Sequence, residues 1–463
     1  MSDRPGPPPD QVPFAAAVEA GVARRDITPP VGIYARCWGA AKQDVAIGIH
    51  RPMTATVLAI RSSADEHPLL LAVIDATWWQ IAEDERYVRH GVIDALGVDE
   101  SRVIISLTHT HAGPSLNKAD CDKPGGELVA PYLDALRQSL IDASREAVTL
   151  LAPSVITWQY GHCDLATNRD LPDSEKPRVI CGFNPHIQAD DTLLVGRVSN
   201  ADGDTLATIV NYACHPTTLA WDNELISPDF VGAMREVIEQ NTNDAPCLFL
   251  QGASGELSPR GQYVGDTAIA DANGRQLGFA ALATLATMLP ARHKLTFAGA
   301  VESGAPLATW KRESFAPDQT IAANKVDVPL PLKPMPTEQE LKQELDQCTD
   351  RTIAERLRRK IRVVQMIGSG PTCELPAWLW RIGTCLFVAQ PNEAYSQFQI
   401  DLRQRFPDHA VVVINLANGS CGYLSPPEKY DQDIYQVWQT PFNREGLSTL
   451  FAHCTQHIER MIS

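Results

Sequence analysis

The chain has 463 residues, of which 44% are hydrophobic and 21% charged, so it can bury a large core and is not disordered throughout. Its formal net charge of −16, from 40 basic and 56 acidic side chains, argues against a nucleic-acid partner and against electrostatic docking on an anionic membrane. The sequence contains no run of about 18 apolar residues, so it predicts no membrane span.

The N-terminus and the cysteines indicate the compartment. Residues 1–13 are Pro-rich and polar, which predicts a disordered tail, and they lack the apolar centre of a secretion signal. The 11 cysteines are scattered singly with no CxxC pair, as is typical of reduced thiols rather than of a disulfide framework. We therefore expect a cytoplasmic protein, and the sequence does not indicate its oligomeric state.

Strand and helix patterns alternate along the chain. Apolar or β-branched runs predict strands over residues 15–25, 53–60, 69–75, 103–105, 155–158, 192–198, 206–212, 247–250, 384–389 and 410–416. Amphipathic periods predict helices over residues 83–96, 132–147, 230–240, 273–288, 337–347 and 351–366, and one that ends at residue 405. This alternation predicts a mixed α/β fold, with residues 14–463 forming one large catalytic unit whose active site lies at strand ends.

Two stretches depart from this regular alternation. The Pro-rich segment 300–335 is expected to be irregular and to form a domain boundary or a lid. The basic run at residues 356–360, on the last predicted helix but one, is expected to be a solvated face.

The segment that follows the predicted strand 103–105 carries two histidines, His109 and His111. Side chains alternate along a strand, so both imidazoles would point the same way where the strand opens into a loop at Gly113-Pro114. Such a pair is typical of a metal site or a catalytic base, although solvated or hydrogen-bonded histidines show the same spacing.

Three more side chains that can bind a metal follow predicted strands: His215, Glu393 and Tyr423. Imidazole and carboxylate are ordinary zinc ligands, whereas a tyrosine oxygen is a rare one. Each residue also has a simpler interpretation. His215 can be a loop histidine bonded to backbone, Glu393 a charge at a helix N-terminus, and Tyr423 part of the core or surface.

The turn after the strand 247–250 contains two candidate serines. Ser258 lies where backbone N–H groups can face a developing oxyanion, although a Ser-Pro pair is also a common turn. A serine-hydrolase interpretation of Ser254 fails, because the surrounding segment lacks the second glycine of a G-x-S-x-G elbow. The sequence contains no GxGxxG, P-loop or HExxH motif.

These segments resemble the neutral/alkaline non-lysosomal ceramidase family of zinc-dependent amide hydrolases, and the match covers the catalytic N-terminal domain of that family. It rests on an ordered set of short motifs: THTHAGP (108–114), NR (168–169), ACHPT (213–217), ISPD (226–229), GELSP (255–259), PNE (391–393), GY (422–423), PEKY (427–430) and Tyr435. Each motif is short, but the order is specific.

The resemblance implies roles for the candidate residues. It implies Zn²⁺ held by His109, His215, Glu393 and Tyr423. It assigns Ser258 as the catalytic serine, either as the nucleophile or as the group that positions a water. It places His111, Arg169 and Tyr435 against the substrate carbonyl.

Three positions depart from the family pattern. Asn392 replaces a glycine, Glu256 an aspartate and Asp170 a serine. The predicted reaction is therefore zinc-dependent cleavage of an N-acyl amide, either a ceramide-like lipid or a smaller compound. A zinc esterase and a non-catalytic binding protein are the alternatives. Five tryptophans are candidates for an acyl pocket, although buried aromatics are often core: Trp78, Trp79, Trp378, Trp380 and Trp438.

Overall fold

The fold, taken from a computed structural model that describes residues 8–62, 67–368 and 370–463, is built on two β-sheets. Residues 1–7 of the predicted tail lie outside the described residues, and Gln11 exchanges two backbone hydrogen bonds with Leu295. The strands are β1 Phe14–Asp26, β2 Gly48–Ile49, β3 Thr54–Arg61, β4 Leu69–Ile74, β5 Val103–Leu107, β6 Ala152–His162, β7 Ala166–Asn168, β8 Asp170–Pro172, β9 Val179–Cys181, β10 Thr192–Asn200, β11 Thr205–Tyr212, β12 Leu225–Ile226, β13 Cys247–Gln251, β14 Leu257–Pro259, β15 His293–Glu302, β16 Pro306–Ser314, β17 Ile321–Pro331, β18 Thr372–Ile382, β19 Cys385–Ala389, β20 Glu393–Ala394, β21 Ala410–Ile414 and β22 Tyr423–Leu424.

Helices alternate with these strands, which confirms the predicted mixed α/β class. They are α1 Ala82–Leu96, α2 Val129–Thr149, α3 Phe230–Gln240, α4 Thr267–Thr287, α5 Glu338–Gln347, α6 Arg351–Ile367, α7 Ser396–Arg405, α8 Tyr435–Gln439 and α9 Gly446–Ile462. Short 3₁₀ turns lie at Glu100–Arg102, Lys118–Asp120, Gly126–Leu128 and Pro427–Asp431. No described helix combines the length and the apolar character that crossing a lipid bilayer requires.

The larger sheet has eight strands in the order β13-β11-β10-β6-β1-β3-β4-β5. Its two outermost pairs, β4 with β5 and β11 with β13, are parallel, and the pairs between them are antiparallel. Every residue of β4, β5 and β13 is buried. Continuous burial of this kind is typical of strands that are covered on both faces.

The smaller sheet, in the order β17-β18-β19-β21, covers one face of the larger one. Aromatic rings fill the space between them, and the Trp158 and Phe387 rings meet edge to face at 5.7 Å. Helices α1 and α2 pack on the opposite face of the larger sheet near β3 to β5, and α3 and α4 pack near β10 to β13. Helices α7 and α9 cover the smaller sheet, so the order of layers is helix, sheet, sheet, helix.

The prediction that segment 300–335 is irregular is wrong for most of its length, because the segment contains β16 and β17. β17 pairs antiparallel with β18 along its whole length and forms an edge of the smaller sheet. Prolines are tolerated there, since the missing N–H of an edge residue can lie on the unpaired side. Pro329 and Pro331 are therefore compatible with a strand.

Buried asparagines connect the two sheets at the ends of their strands. Asn211, on β11, donates to the carbonyl of Val413 on β21 at 2.8 Å. Asn418, in the loop after β21, donates to the carbonyl of Val103 on β5 at 2.8 Å. These bonds attach β11 to β21 and the loop after β21 to the start of β5, so they fix the two sheets against each other.

A buried ion pair fixes α3 to the end of β4. Arg235 donates two hydrogen bonds to Asp75, at 2.8 and 2.6 Å, and the Asp75 side chain is fully buried. The backbone N–H of Thr54 donates to the same carboxylate at 2.8 Å. The loop that Asp75 begins also carries Thr77, whose carbonyl contacts a site histidine.

We expect Asp75→Ala to destabilise the fold by about 3–5 kcal/mol, because it leaves the Arg235 guanidinium buried without a counter-charge. The shift of the denaturant midpoint, followed by circular dichroism, measures this loss. Glu83→Ala is the control, since Glu83 pairs with Arg86 at 3.0 Å on the surface. Equal shifts for the two variants would contradict a stabilising role for the buried pair.

Candidate metal centre and active-site cleft

The histidine pair follows β5 but is not part of the strand. β5 ends at Leu107 and His109 has a φ of 67°, so the prediction that strand alternation aligns the two histidines is wrong. The left-handed residue still places the His109 and His111 rings side by side, with centroids 4.7 Å apart. Nδ1 of His109 donates to the carbonyl of Thr77 at 2.9 Å. In the tautomer that carries its proton on Nδ1, this bond leaves the lone pair on Nε2.

His215 lies in the loop after β11 and is almost fully buried. Its backbone N–H donates to the carbonyl of Leu257 at 2.9 Å, and its Nδ1 donates to the carbonyl of Ser254 at 2.7 Å. Both acceptors lie in the segment that runs from the turn after β13 to the first residue of β14. They orient the ring so that its Nε2, like that of His109, carries the lone pair.

The segment 226–229 connects the two histidine loops. The hydroxyl of Thr110 donates to the carbonyl of Ser227 at 2.6 Å, and the backbone N–H of Ser227 donates to the carbonyl of Ala112 at 2.8 Å. Asp229 accepts from the backbone N–H of Leu219 at 2.9 Å and caps the first turn of α3. This family motif therefore supports the site without contributing a ligand.

Glu393 and Tyr423 lie opposite each other in the short parallel strands β20 and β22. Gly422 has a φ of 76°, a conformation that favours glycine, and its carbonyl accepts from the Glu393 N–H at 2.9 Å. The phenol of Tyr423 lies beside the Glu393 carboxylate and 3.3 Å from Nη2 of Arg169, which donates to it. Asn392 is buried, and its side-chain amide has no partner among the described residues.

Three predicted ligands converge on one point. The ligand atoms of His109, His215 and Glu393 all lie within 4.8 Å of one another. Oε2 of Glu393 is 2.8 Å from Nε2 of His215 and 3.5 Å from Nε2 of His109. Two nitrogen lone pairs that face a carboxylate oxygen repel it unless a proton or a cation lies between them. The donor set fits a divalent metal such as zinc, with the Tyr423 phenol adjacent.

The charge states of these groups follow from burial and from their neighbours. Burial and the nearby Arg169 lower the pKa of His215 to about 4, so its ring is neutral at neutral pH. Burial works to raise the pKa of Glu393, but hydrogen bonds to His109 and His215, in which a proton lies between nitrogen and oxygen, outweigh it and hold that pKa well below its usual range. The site therefore presents an anionic carboxylate and a neutral His215 ring, which suits metal binding.

Arg169 lies directly behind the metal ligands and is buried. Its Nη2 donates to the carbonyl of Gly255 at 2.7 Å and to Oη of Tyr423 at 3.3 Å. Its Nε–H is buried and has no partner among the described residues. A buried donor without a partner is costly, so this atom has capacity for a bound molecule.

His111 and Tyr435 line the open side of the site. The His111 ring lies 5.1 Å from the ring of Trp38 and 5.5 Å from that of Trp78. Burial, with a smaller contribution from His109, lowers the pKa of His111 well below its usual value, so the ring is neutral. Tyr435 begins α8, and its ring lies 5.9 Å from that of Tyr423.

Ser258 lies in β14, paired with Thr167 of β7. Its side chain is fully buried, and Oγ has no hydrogen-bond partner within the part of the chain that the structure describes. Ser254, in the same turn, instead accepts a hydrogen bond from Gln251 at 2.6 Å. Ser258 does not line the cavities described below, so its hydroxyl lies behind the walls of the cleft.

Glu256 and Asp170, the two acidic residues that differ from the family pattern, both accept hydrogen bonds from neighbouring side chains. Glu256 accepts from the backbone N–H of Ser396 at 3.0 Å and from its hydroxyl, at the start of α7. Asp170 accepts from Lys429 at 2.8 Å and from Gln436 of α8 at 3.1 Å. Both carboxylates therefore hold helices that border the site.

Three adjoining cavities form the cleft. The metal cavity, about 110 Å³, is lined by ligand residues and by Trp78 and Trp79. The aromatic cavity, about 400 Å³, is lined by Trp38, Trp221 and Tyr263 together with His111, Arg169, Tyr423 and Tyr435. The arginine cavity, about 260 Å³, is lined by Arg36, Lys123, Arg351, Arg358, Arg359 and Arg362 together with Asp44, Asp120 and Glu355.

The predicted tryptophans divide between the cleft and the core. Trp78 and Trp79 line the metal cavity, whereas Trp378 and Trp380 are fully buried between the sheets. Trp438 lies on the surface with 38% of its area exposed. Sequence reasoning identified His111, Arg169, Tyr423 and Tyr435 of the aromatic cavity. It missed Trp38, Trp221 and Tyr263, because they come from loops with no recurring pattern.

The prediction that residues 356–360 form a solvated basic face is wrong for Arg359. Its guanidinium lies 5.1 Å from the ring centre of Trp78 and donates to the carbonyl of Cys37 at 3.0 Å. Arg359 lines all three cavities. α6 therefore forms one wall of the cleft.

Comparisons with known proteins agree with this architecture. The model of the neutral/alkaline non-lysosomal ceramidase family, N-terminal region, matches residues 18–267, more than half of the chain. A ceramidase complexed with C2 shares the fold with a TM-score of 0.69 and 15% identity, over 96% of this chain and 76% of that one. A neutral ceramidase from Pseudomonas aeruginosa has a TM-score of 0.69 and 16% identity, over 95% and 74%. None of the curated protein sequences compared with the chain matches it.

The buried Glu256 predicts a pH-dependent stability. Burial raises its pKa to about 7 from an ordinary value of 4.5. Between these two pH values the folded state binds more protons than the unfolded state, so the free energy of unfolding falls as the pH rises. Over the whole window the decrease is roughly 3 kcal/mol. We expect Glu256→Gln to lose most of this dependence, as measured by urea midpoints at about pH 5 and pH 7.5.

The control for this prediction is Glu374→Gln, which removes an exposed carboxylate from β18. This variant should retain the pH dependence of the native protein. If Glu256→Gln retains it as well, the buried carboxyl is not its source.

Proposed function

The chain belongs to the neutral/alkaline non-lysosomal ceramidase family, as its motifs predict, and from that premise we propose that it is a zinc-dependent hydrolase of N-acyl amides. The observation that carries the proposal is the buried convergence of His109, His215 and Glu393, with their ligand atoms within 4.8 Å of one another. The substrate class is an N-acyl amide, either a ceramide-like lipid or a smaller and more polar compound.

The proposed zinc ligands are His109, His215, Glu393 and Tyr423. When bound, zinc polarises the amide carbonyl and makes its carbon easier to attack. The protein holds these ligands through backbone contacts: carbonyl groups orient both imidazoles, and the β20–β22 pairing fixes Glu393 against Tyr423. Such supporting bonds set the direction of each donor atom.

The residues around the ligands supply the remaining chemistry. Arg169 has a buried Nε–H without a protein partner, which suits the oxygen that becomes negative as the carbonyl is attacked. The phenol of Tyr435 adds a second donor at the edge of the cleft. His111 has a neutral ring at neutral pH and can accept a proton. From the motif match we assign the attacking step to the hydroxyl of Ser258, acting directly or through a water that it positions. Because this hydroxyl lies behind the walls of the cleft, the step requires a movement of those walls that opens a path to it.

The central test combines metal analysis with turnover. We expect about one zinc per chain in the native protein. The His215→Ala variant should bind little zinc and retain less than about one hundredth of the activity. Even the loss of a hydrogen-bond partner of a metal ligand lowers metal affinity or activity by about 10- to 100-fold. Hydrolysis of a panel of N-acyl amides and matched esters measures the activity. His162→Ala, which removes an exposed histidine, is the control.

The outcomes separate the competing functions. Unchanged zinc and turnover in His215→Ala would contradict the ligand set. Cleavage of the esters alone would identify an esterase. A native protein that binds no metal and cleaves neither class would be a binding protein.

A matched pair of serine variants tests Ser258. Ser258 and Ser199 are both buried with hydroxyls that have no hydrogen-bond partner among the described residues, and Ser199 lies on β10, outside the cleft. Because both alanine variants remove a similar hydroxyl, they should have similar melting temperatures. We expect Ser258→Ala to reduce kcat by about 100-fold or more and Ser199→Ala to leave it near the native value. Equal activities would remove Ser258 from the reaction.

A further inference from the structure

The helix that lines the cleft has a charge opposite to that of the protein. α6 carries six basic residues and a single acid, Glu355, so its net charge is +5, whereas the chain as a whole has a net charge of −16. The basic residues are Arg351, Arg356, Arg358, Arg359, Lys360 and Arg362. Positive charge is therefore concentrated at the cleft.

Much of this charge lines the arginine cavity, next to the metal cavity. The two cavities share Trp78, Gln80, Arg359 and Arg362. A group bound in the arginine cavity can thus be joined by a short linker to an amide at the metal ligands.

The acidic residues of the arginine cavity do not balance its basic ones. Six cations face three carboxylates, and Asp122 adds one more acid by pairing with Lys123 at 3.0 Å on the surface. Two positive charges remain in excess. Arg358 makes no hydrogen bond or ion pair with another side chain in the described ranges, although its charge adds to the hydrogen bond and charge of Lys123 in lowering the pKa of Asp122. Arg362 is 3.4 Å from Asp120 and donates one hydrogen bond to Gln80 at 2.5 Å.

The existing ion pairs fix the position of α6 without using all of its donors. Arg36 lies between Asp44, at 3.7 Å, and Glu355, at 3.3 Å. Arg359 pairs with the same Glu355 at 2.5 Å. A concave site lined by excess charge of one sign focuses its field on an oppositely charged ligand.

We propose that the arginine cavity binds an anionic group of the substrate, a carboxylate or a phosphate, so that the preferred substrates are N-acyl amides with a negative charge near the amide. This inference rests on the proposed function. The guanidinium groups of Arg358 and Arg362 supply charge-assisted hydrogen bonds to the anion. The aromatic cavity, lined by Trp38, Trp221 and Tyr263, receives the apolar acyl chain.

Three compounds with one acyl chain test the proposal. They are N-dodecanoylglycine, which carries a carboxylate; N-dodecanoylaminoethyl phosphate; and the neutral N-dodecanoylglycinamide. Release of dodecanoate by the native holoenzyme measures kcat/KM for each. We expect at least one charged compound to exceed the neutral one by about tenfold or more, and rising salt to reduce this ratio. The better of the two charged compounds identifies the anion.

Two cavity variants and one control locate the effect. Arg362→Gln and Arg358→Gln should each lower the ratio of charged to neutral kcat/KM by about tenfold. The second removes an exposed side chain without a side-chain partner, so the fold should tolerate it. Lys342→Gln, which removes a cation of α5 outside the cleft, should leave the ratio unchanged.

The results that overturn the proposal are distinct from those that overturn the proposed function. The anion site would be excluded if the native protein had similar kcat/KM values for the charged and neutral compounds. It would also be excluded if the variants lowered kcat/KM equally for both. Either result would leave the proposed hydrolase function intact. If neither these three amides nor the wider panel of N-acyl amides is cleaved, the proposed function fails, and calorimetric binding of the three compounds tests the cavity alone. Equal affinities for the charged and neutral compounds would then exclude an anion site in the arginine cavity.

Discussion

The carboxylate of Glu393, held between the imidazoles of His109 and His215, is the constraint on which the site depends. Backbone carbonyls fix both rings with their Nε2 lone pairs turned inward, 3.5 and 2.8 Å from the carboxylate oxygen. Burial removes the water that would otherwise separate these groups. The arrangement is therefore favourable when a cation lies at its centre, and the surrounding fold must supply the free energy that holds it together.

Two sheets from distant parts of the chain supply that framework. The histidines follow strands of the larger sheet, whereas Glu393 and Tyr423 follow strands of the smaller one. Side chains of Asn211 and Asn418 bond across the junction, and large rings fill the core between the sheets. A rigid scaffold of this kind can hold catalytic groups on loops with little freedom.

The cleft combines surfaces of different character around that centre. An aromatic cavity and a basic cavity both adjoin the metal cavity, and Arg359 lines all three. Asp170 and Glu256, the two acidic residues that differ from the family pattern, bond to helices that border the cleft and are not among the proposed metal ligands. Under the proposed function, α6 and the loops determine the substrate range, while residues at the strand ends carry out the reaction.

The sequence by itself determined the α/β class, most strands and helices, and the family, because hydrophobic periodicity and short motifs are local. The tertiary structure decided the rest. His109 adopts a left-handed conformation beyond its strand, Pro329 fits a strand because that strand is an edge, and Arg359 faces a cleft rather than solvent. Each of these outcomes depends on which distant segment packs against the residue. Long-range packing of two sheets sets that choice, and no local pattern encodes it.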